Sequence, residues 1–156
     1  MVTHGPFVIT EKPVRVKSGD LTQQGFCFFA GNILLKQELV LRKKAGERIL
    51  LDLGKPDAIL SKLFVNGKEV KTIAWAPYTA DITDYVSDGD NDIELKLYGS
   101  NRNLLGPHHH VLGENYRLCP ASFSDKPGWA EEEQGLKEIW AEGYCIVKFG
   151  LPEVRF

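Results

Sequence analysis

Three consecutive histidines, His108-His109-His110, are the first residues of this 156-residue chain that suggest chemistry, in the form of metal binding. In extended backbone alternate side chains point to opposite faces, so at most two of the three reach one ion. Zinc takes three or four protein ligands, and His4, Glu114 and Cys119 do not stand at ligand spacing, so no metal or other cofactor is expected. Neutral imidazole both donates and accepts, which suits the triplet equally to sugar hydroxyls or to a neighbouring protein surface. Asn101, Arg102 and Asn103, a few positions upstream, add further donors and acceptors. Trp75, Tyr78, Tyr116 and Trp129 fall at turns or in a long loop, where an exposed ring can stack on the C–H face of a pyranose. For Trp75 and Tyr78 the competing reading is that they cover the end of the core, as large aromatic side chains usually do.

The acids do not make a convincing catalytic set. Glycosidases need two carboxyl groups about 5 Å apart for retention, or about 6.5–9.5 Å apart for inversion. Asp81 reads better as a turn cap for the residues after it, Asp84 as a solvated side chain, and Glu131-Glu132-Glu133 as a solvated helix start. Ser100, Ser122 and Ser124 lack a Gly-x-Ser-x-Gly elbow, and no glycine spacing matches a phosphate loop. The chain alone is therefore expected to carry no catalysis.

The elements that would position these residues are mostly strands. Ile93, Leu95 and Leu97 alternate with Asp92, Glu94, Lys96 and Tyr98, the period of a strand with one buried face. Ile33, Leu35, Leu39 and Leu41 share a face that Gln37 interrupts, so Gln37 needs a partner or the strand bulges there. Ile49, Leu51 and Leu53 form another face. The apolar run Ile59 to Val65 reads as a central strand covered on both sides, and Asn66-Gly67 as the type I′ turn that sends Lys68 to Ala74 back antiparallel. Phe7-Val8-Ile9 and Val14-Arg15-Val16 are short strand candidates, and Tyr144 to Leu151 a closing strand. Residues 99–143 show no clear strand; their second half, Trp129 to Ala141, has helical spacing of Trp129, Leu136, Ile139 and Trp140. Frequent turns and no long helix predict an all-β sandwich.

Val65-Asn66-Gly67, Trp75-Ala76-Pro77-Tyr78, Asp81-Ile82-Thr83 and Gly89-Asp90-Asn91, in that order, resemble the non-catalytic, sugar-binding β-sandwich domains of family 2-type glycoside hydrolases. Arg102-Asn103-Leu104-Leu105-Gly106-Pro107-His108-His109 and the ending Gly143 to Leu151 are similar to accessory domains of large glycosidases. The resemblance implies a jelly-roll β-sandwich of the galactose-binding type with one long loop carrying a short helix. It also implies one domain, 1–156, belonging to a larger glycoside hydrolase whose catalysis sits in a separate barrel. The partners implied are carbohydrate, a glycoside hydrolase catalytic domain, or both. The alternatives are a stand-alone carbohydrate-binding module, or a metal-binding protein or enzyme built on the histidine loop. Phe29 stands where the family pattern leads one to expect an aromatic hydroxyl.

Composition agrees with a globular domain: 43% apolar, 26% charged and a net charge of −2, with no basic stripe to favour nucleic acid. No apolar run reaches the roughly 20 residues of a membrane span. The first six residues lack the bipartite character of a signal peptide. Cys27, Cys119 and Cys145 are an odd number at wide spacing, which argues against a disulfide framework and favours a reducing, cytoplasmic compartment.

Overall fold

A computed structural model describes residues 2–4, 8–106, 108–109 and 142–155. Within them the chain is mostly β, with antiparallel sheets and one short helix. The strands are β1 (Val2–His4), β2 (Gly19–Asp20), β3 (Asn32–Leu41), β4 (Leu50–Asp52), β5 (Leu60–Val65), β6 (Lys68–Ile73), β7 (Thr79–Asp81), β8 (Gly89–Tyr98), β9 (Tyr144–Ile146) and β10 (Gly150–Leu151). A single helical turn, α1 (Arg102–Leu105), follows β8, and a 3-10 turn at Leu21–Gln24 follows β2. No helix among the described residues is long and apolar enough to cross a membrane.

The principal sheet has the order β3-β8-β5-β6. β8 sets it: Ile93, Leu95 and Leu97 are buried, while Glu94, Lys96 and Tyr98 face outward with Asp92. β3 pairs with β8 over ten consecutive residues, Asn32 with Tyr98 through Leu41 with Gly89. Gln37 sits opposite Ile93 in that unbroken ladder and is exposed, so neither a bulge nor a buried partner is needed there. The outer face is charged, with Lys36 paired to Glu94 across strands and Lys62 to Glu69 at 3.2 Å. β5 does lie inside the sheet, but its burial alternates, with Ser61, Leu63 and Val65 inward and Leu60, Lys62 and Phe64 half-buried. The expected two-sided cover is thus corrected: pairing with β6 on one edge and β8 on the other keeps this apolar segment inside the sheet. Asn66 (φ 50°) and Gly67 (φ 76°) both have the positive φ of a type I′ turn. The ladder between β5 and β6 shifts by one residue at Leu63/Phe64.

Against the inner face lie two short ribbons, β4 with β7 and β10 with β2. Bridges Asp52–Arg155 and Asp57–Gly150 link further segments to them. Leu21, Leu51, Leu53, Ala80, Ile82, Phe149 and Leu151 from this side form one cluster with Leu63, Val65, Ile93, Leu95 and Leu97 of the sheet. Burying each such leucine contributes about 1.5–3 kcal/mol. These pairings do not by themselves draw the complete second sheet of a jelly roll.

Three expected strands differ. Val8-Ile9 and Val14-Arg15-Val16 are not strands; Val14 is 98% exposed, and among the described residues no strand pairs with either segment. Phe7 lies outside the described residues, as does Trp129 to Ala141. The closing strand is two pieces: β9 pairs with β1 and β10 with β2, separated at Val147.

Candidate functional site

Register fixes which loops meet. β8 ends at Tyr98 opposite Asn32 and Leu60, the first residues of β3 and β5, and β6 ends with Ile73 opposite Ser61. Gly31, Ile59, Trp75 and Gly99 to Asn103 therefore emerge at one end of the principal sheet. The other end is closed by its own hydrogen bonds. Asn91 Oδ1 accepts from Asn66 Nδ2 at 2.9 Å and from the Ser87 amide at 2.9 Å, and Asn91 Nδ2 donates to the Ser87 and Gly89 carbonyls. Asn66 also donates to the Tyr85 carbonyl. Asp81 behaves as the sequence implied: its Oδ1 accepts from the Thr83 amide and hydroxyl, and its Oδ2 from Arg48. The Thr83 hydroxyl, then the Arg48 guanidinium, hold its carboxyl down to about 2 from an ordinary 3.8.

At the open end, α1 begins where the Arg102 amide donates to the Ser100 hydroxyl oxygen. Asn103 is 5% exposed, and its side chain imitates a strand: Oδ1 accepts from the Val147 amide at 2.9 Å and Nδ2 donates to the Val147 carbonyl at 2.7 Å. A side-chain amide thus takes the pairing that would have joined β9 to β10. His108 Nε2 lies 2.8 Å from the Asn103 carbonyl, an acceptor only, so Nε2 carries the proton in that contact. Gly106 (φ +87°) is required here, because a Cβ would stand 2.9 Å from the His108 amide nitrogen. The His108 ring packs on Phe28 and Tyr144 at centroid distances of 5.5 and 5.8 Å, and His109 packs on Tyr144 at 4.5 Å. Both imidazoles are half-buried in this aromatic cluster, and the half-buried Arg102 guanidinium reaches the Cys145 carbonyl at 3.5 Å.

Beside α1 lies a cleft of about 310 Å³. Phe29 and Phe149, stacked at 5.6 Å and 17°, supply its aromatic wall; Lys55, Asp57, Ser100 and Lys148 supply polar groups. Gly99 fits because its amide donates to the Gly31 carbonyl at 2.8 Å and a Cβ would meet that oxygen at 3.1 Å.

Of the residues singled out in the sequence, Asn101, Arg102, Asn103, His108 and His109 come together around α1. Trp75 is 78% exposed beside a shallow depression lined by Lys71, Thr72 and Pro77. Tyr78 is half-buried against the core, and its carbonyl accepts from the Leu53 amide at 3.0 Å. His110, Tyr116 and Trp129 lie outside the described residues. Among the described residues no three His, Cys, Asp or Glu side chains gather as a metal site. Cys145 is buried; Cys27 is half-buried, and burial followed by the Asp20 carboxylate pushes its thiol above the ordinary 9.0. Sequence reading missed Phe28 and Tyr144 as partners of the histidines and missed the cleft. Gly99, at its margin, was the available signal.

No family model matches the chain. Over 77 residues, 47% of its length, it is 31% identical to a β-glucuronidase-type protein of Formosa agariphila, and it spans only 6% of that relative. Among solved structures it is similar to a rhamnosidase from Novosphingobium (32% identity, 51% of this chain, 8% of that one, TM-score 0.47). It is also similar to a β-glucuronidase of Faecalibacterium prausnitzii (18% identity, 81% of this chain, 22% of that one, TM-score 0.46). The similarity is partial: the chain spans only a small share of the length of each of these glycoside-hydrolase relatives.

Proposed function

We propose that this chain is a non-catalytic accessory domain of a glycoside hydrolase, a galactose-binding-type sandwich that buttresses the catalytic domain and contributes contacts to carbohydrate. The observation that carries this reading is the asymmetry of its two ends. One end spends its asparagines, Asp81 and Thr83 on internal hydrogen bonds. The other presents the exposed Trp75 ring, α1 and the histidine–tyrosine cluster. An indole held out at a loop is an anchor of the kind that dominates interfaces. The partial match to a glucuronidase-type protein supports the same reading.

Trp75→Ala in the enzyme that carries this domain tests it. Loss of a buried interface indole costs about 2 kcal/mol or more, so the variant should lower kcat/KM or the melting temperature of the joined catalytic domain. Unchanged kinetics together with unchanged melting would overturn the buttressing role. A stand-alone carbohydrate-binding module is the second reading, favoured by the cleft beside α1. It expects the chain to bind oligosaccharide without any catalytic partner.

A further inference from the structure

We infer that the cleft beside α1 is a subsite for a single pyranose carrying a carboxylate. At about 310 Å³ it stands at the small end of known small-molecule sites (~300–1,000 Å³), the scale of one sugar ring rather than a chain. Phe29, Phe149 and Ile59 give an apolar wall that suits the C–H face of a pyranose. Ser100 accepts from the Arg102 amide yet keeps its hydroxyl proton to donate, and the Asp57 carboxylate accepts from sugar hydroxyls.

Charge decides the class of sugar. Lys55 and Lys148 border the cleft against one carboxylate, Asp57. Lys36, Lys44, Arg48 and Lys62 each pair with an acid, whereas neither Lys55 nor Lys148 has such a partner among the described residues. Two uncommitted ammonium groups beside an apolar wall favour an anionic guest over a neutral one. The walls are also held in place beforehand. The Asn103 amide fixes Val147, paired backbone bonds of 3.0 Å join Asp57 to Gly150, and Gly99 is tied to Gly31. Little ordering is left to be done when a ligand enters.

The inference rests on the carbohydrate-contact part of the accessory reading and is tested apart from the buttressing part. Calorimetric or NMR titration of the full chain would compare methyl glucuronide with methyl glucoside, which differ only at C6, a carboxylate in the first and a neutral hydroxymethyl in the second. The glucuronide should bind roughly fivefold more tightly, as one exposed ion pair allows, and added salt should erase the difference. Lys55→Ala with Lys148→Ala should remove the preference while leaving thermal unfolding unchanged, because both side chains are exposed. Equal binding of the two sugars, no binding of either at millimolar concentration, or a preference that survives the double substitution would each overturn the subsite. None of these outcomes would touch the buttressing role, which is judged by Trp75→Ala in the parent enzyme.

Discussion

Asn91 is 2% exposed, and its side-chain amide is committed on both sides: the oxygen to Asn66 and Ser87, the nitrogen to two carbonyls. Its partners Asn66, Ser87 and Gly89 are exposed or half-buried and can turn to water, so Asn91→Ala should lower the urea-unfolding free energy by about 1–3 kcal/mol. Asn91→Asp should not rescue it, because an acceptor would then face the Ser87 and Gly89 carbonyls. Asp81 makes a different forecast. Its folded pKa is depressed to about 2, so the stabilisation it gives is fully present above its ordinary 3.8 and is lost as pH falls towards 2. Acid titration of unfolding should show a shallower fall between those two values for Asp81→Asn than for the natural chain. An identical acid limb would mean that the Thr83 and Arg48 contacts do not persist in solution. At this scale much was legible in the sequence. The Asn66-Gly67 turn and the bonds from Thr83 to Asp81 are local devices set by near neighbours, whereas Tyr85 and Asn91 as partners of Asn66, and Arg48 as partner of Asp81, are reached only through the fold.

The strands divide according to how far their causes reach. The alternation of β8 and the Asn66-Gly67 turn predicted the centre of the principal sheet, since both signals depend on neighbours only. The closing segment did not yield to the same reading. Tyr144 to Leu151 is mostly apolar, yet its strand is interrupted over residues 147–149, where the Asn103 amide, 44 positions earlier, takes the pairing of Val147. No periodicity records a partner at that distance. Nor does it record whether Val14-Arg15-Val16 finds a neighbouring strand. Asn103→Ala should therefore loosen this junction more than it loosens the sheet. Its stability cost should be about 1–3 kcal/mol, with hydrogen exchange accelerated at Val147 and with the β3–β8 ladder still protected. Uniform acceleration through both would refute that local role.

As a whole, the molecule gathers the Asn66, Asn91 and Asp81 hydrogen bonds at one end of the principal sheet and, on the proposed reading, its recognition residues at the other. Substitutions should sort accordingly. Trp75→Ala, which removes a ring that is 78% exposed, should leave the melting temperature of the isolated chain within error, in contrast to Asn91→Ala at the closed end. A clear loss would mean that the ring covers the core instead. The candidate site was legible in part: the α1 residues and both described histidines, singled out in the sequence, lie together in the fold, whereas the cleft depends on Lys55, Phe29 and Lys148, which only tertiary folding assembles. The pairing of β1 with β9 and of β2 with β10 has one more consequence, concerning the order of events on the ribosome. Residues 2–4 and 19–20 leave the exit tunnel early but cannot find their neighbours until 144–151 have followed. The principal sheet can zip up before residues 144–151 are made, whereas these two segments must wait for them, and their pairing closes the longest loops in the described fold.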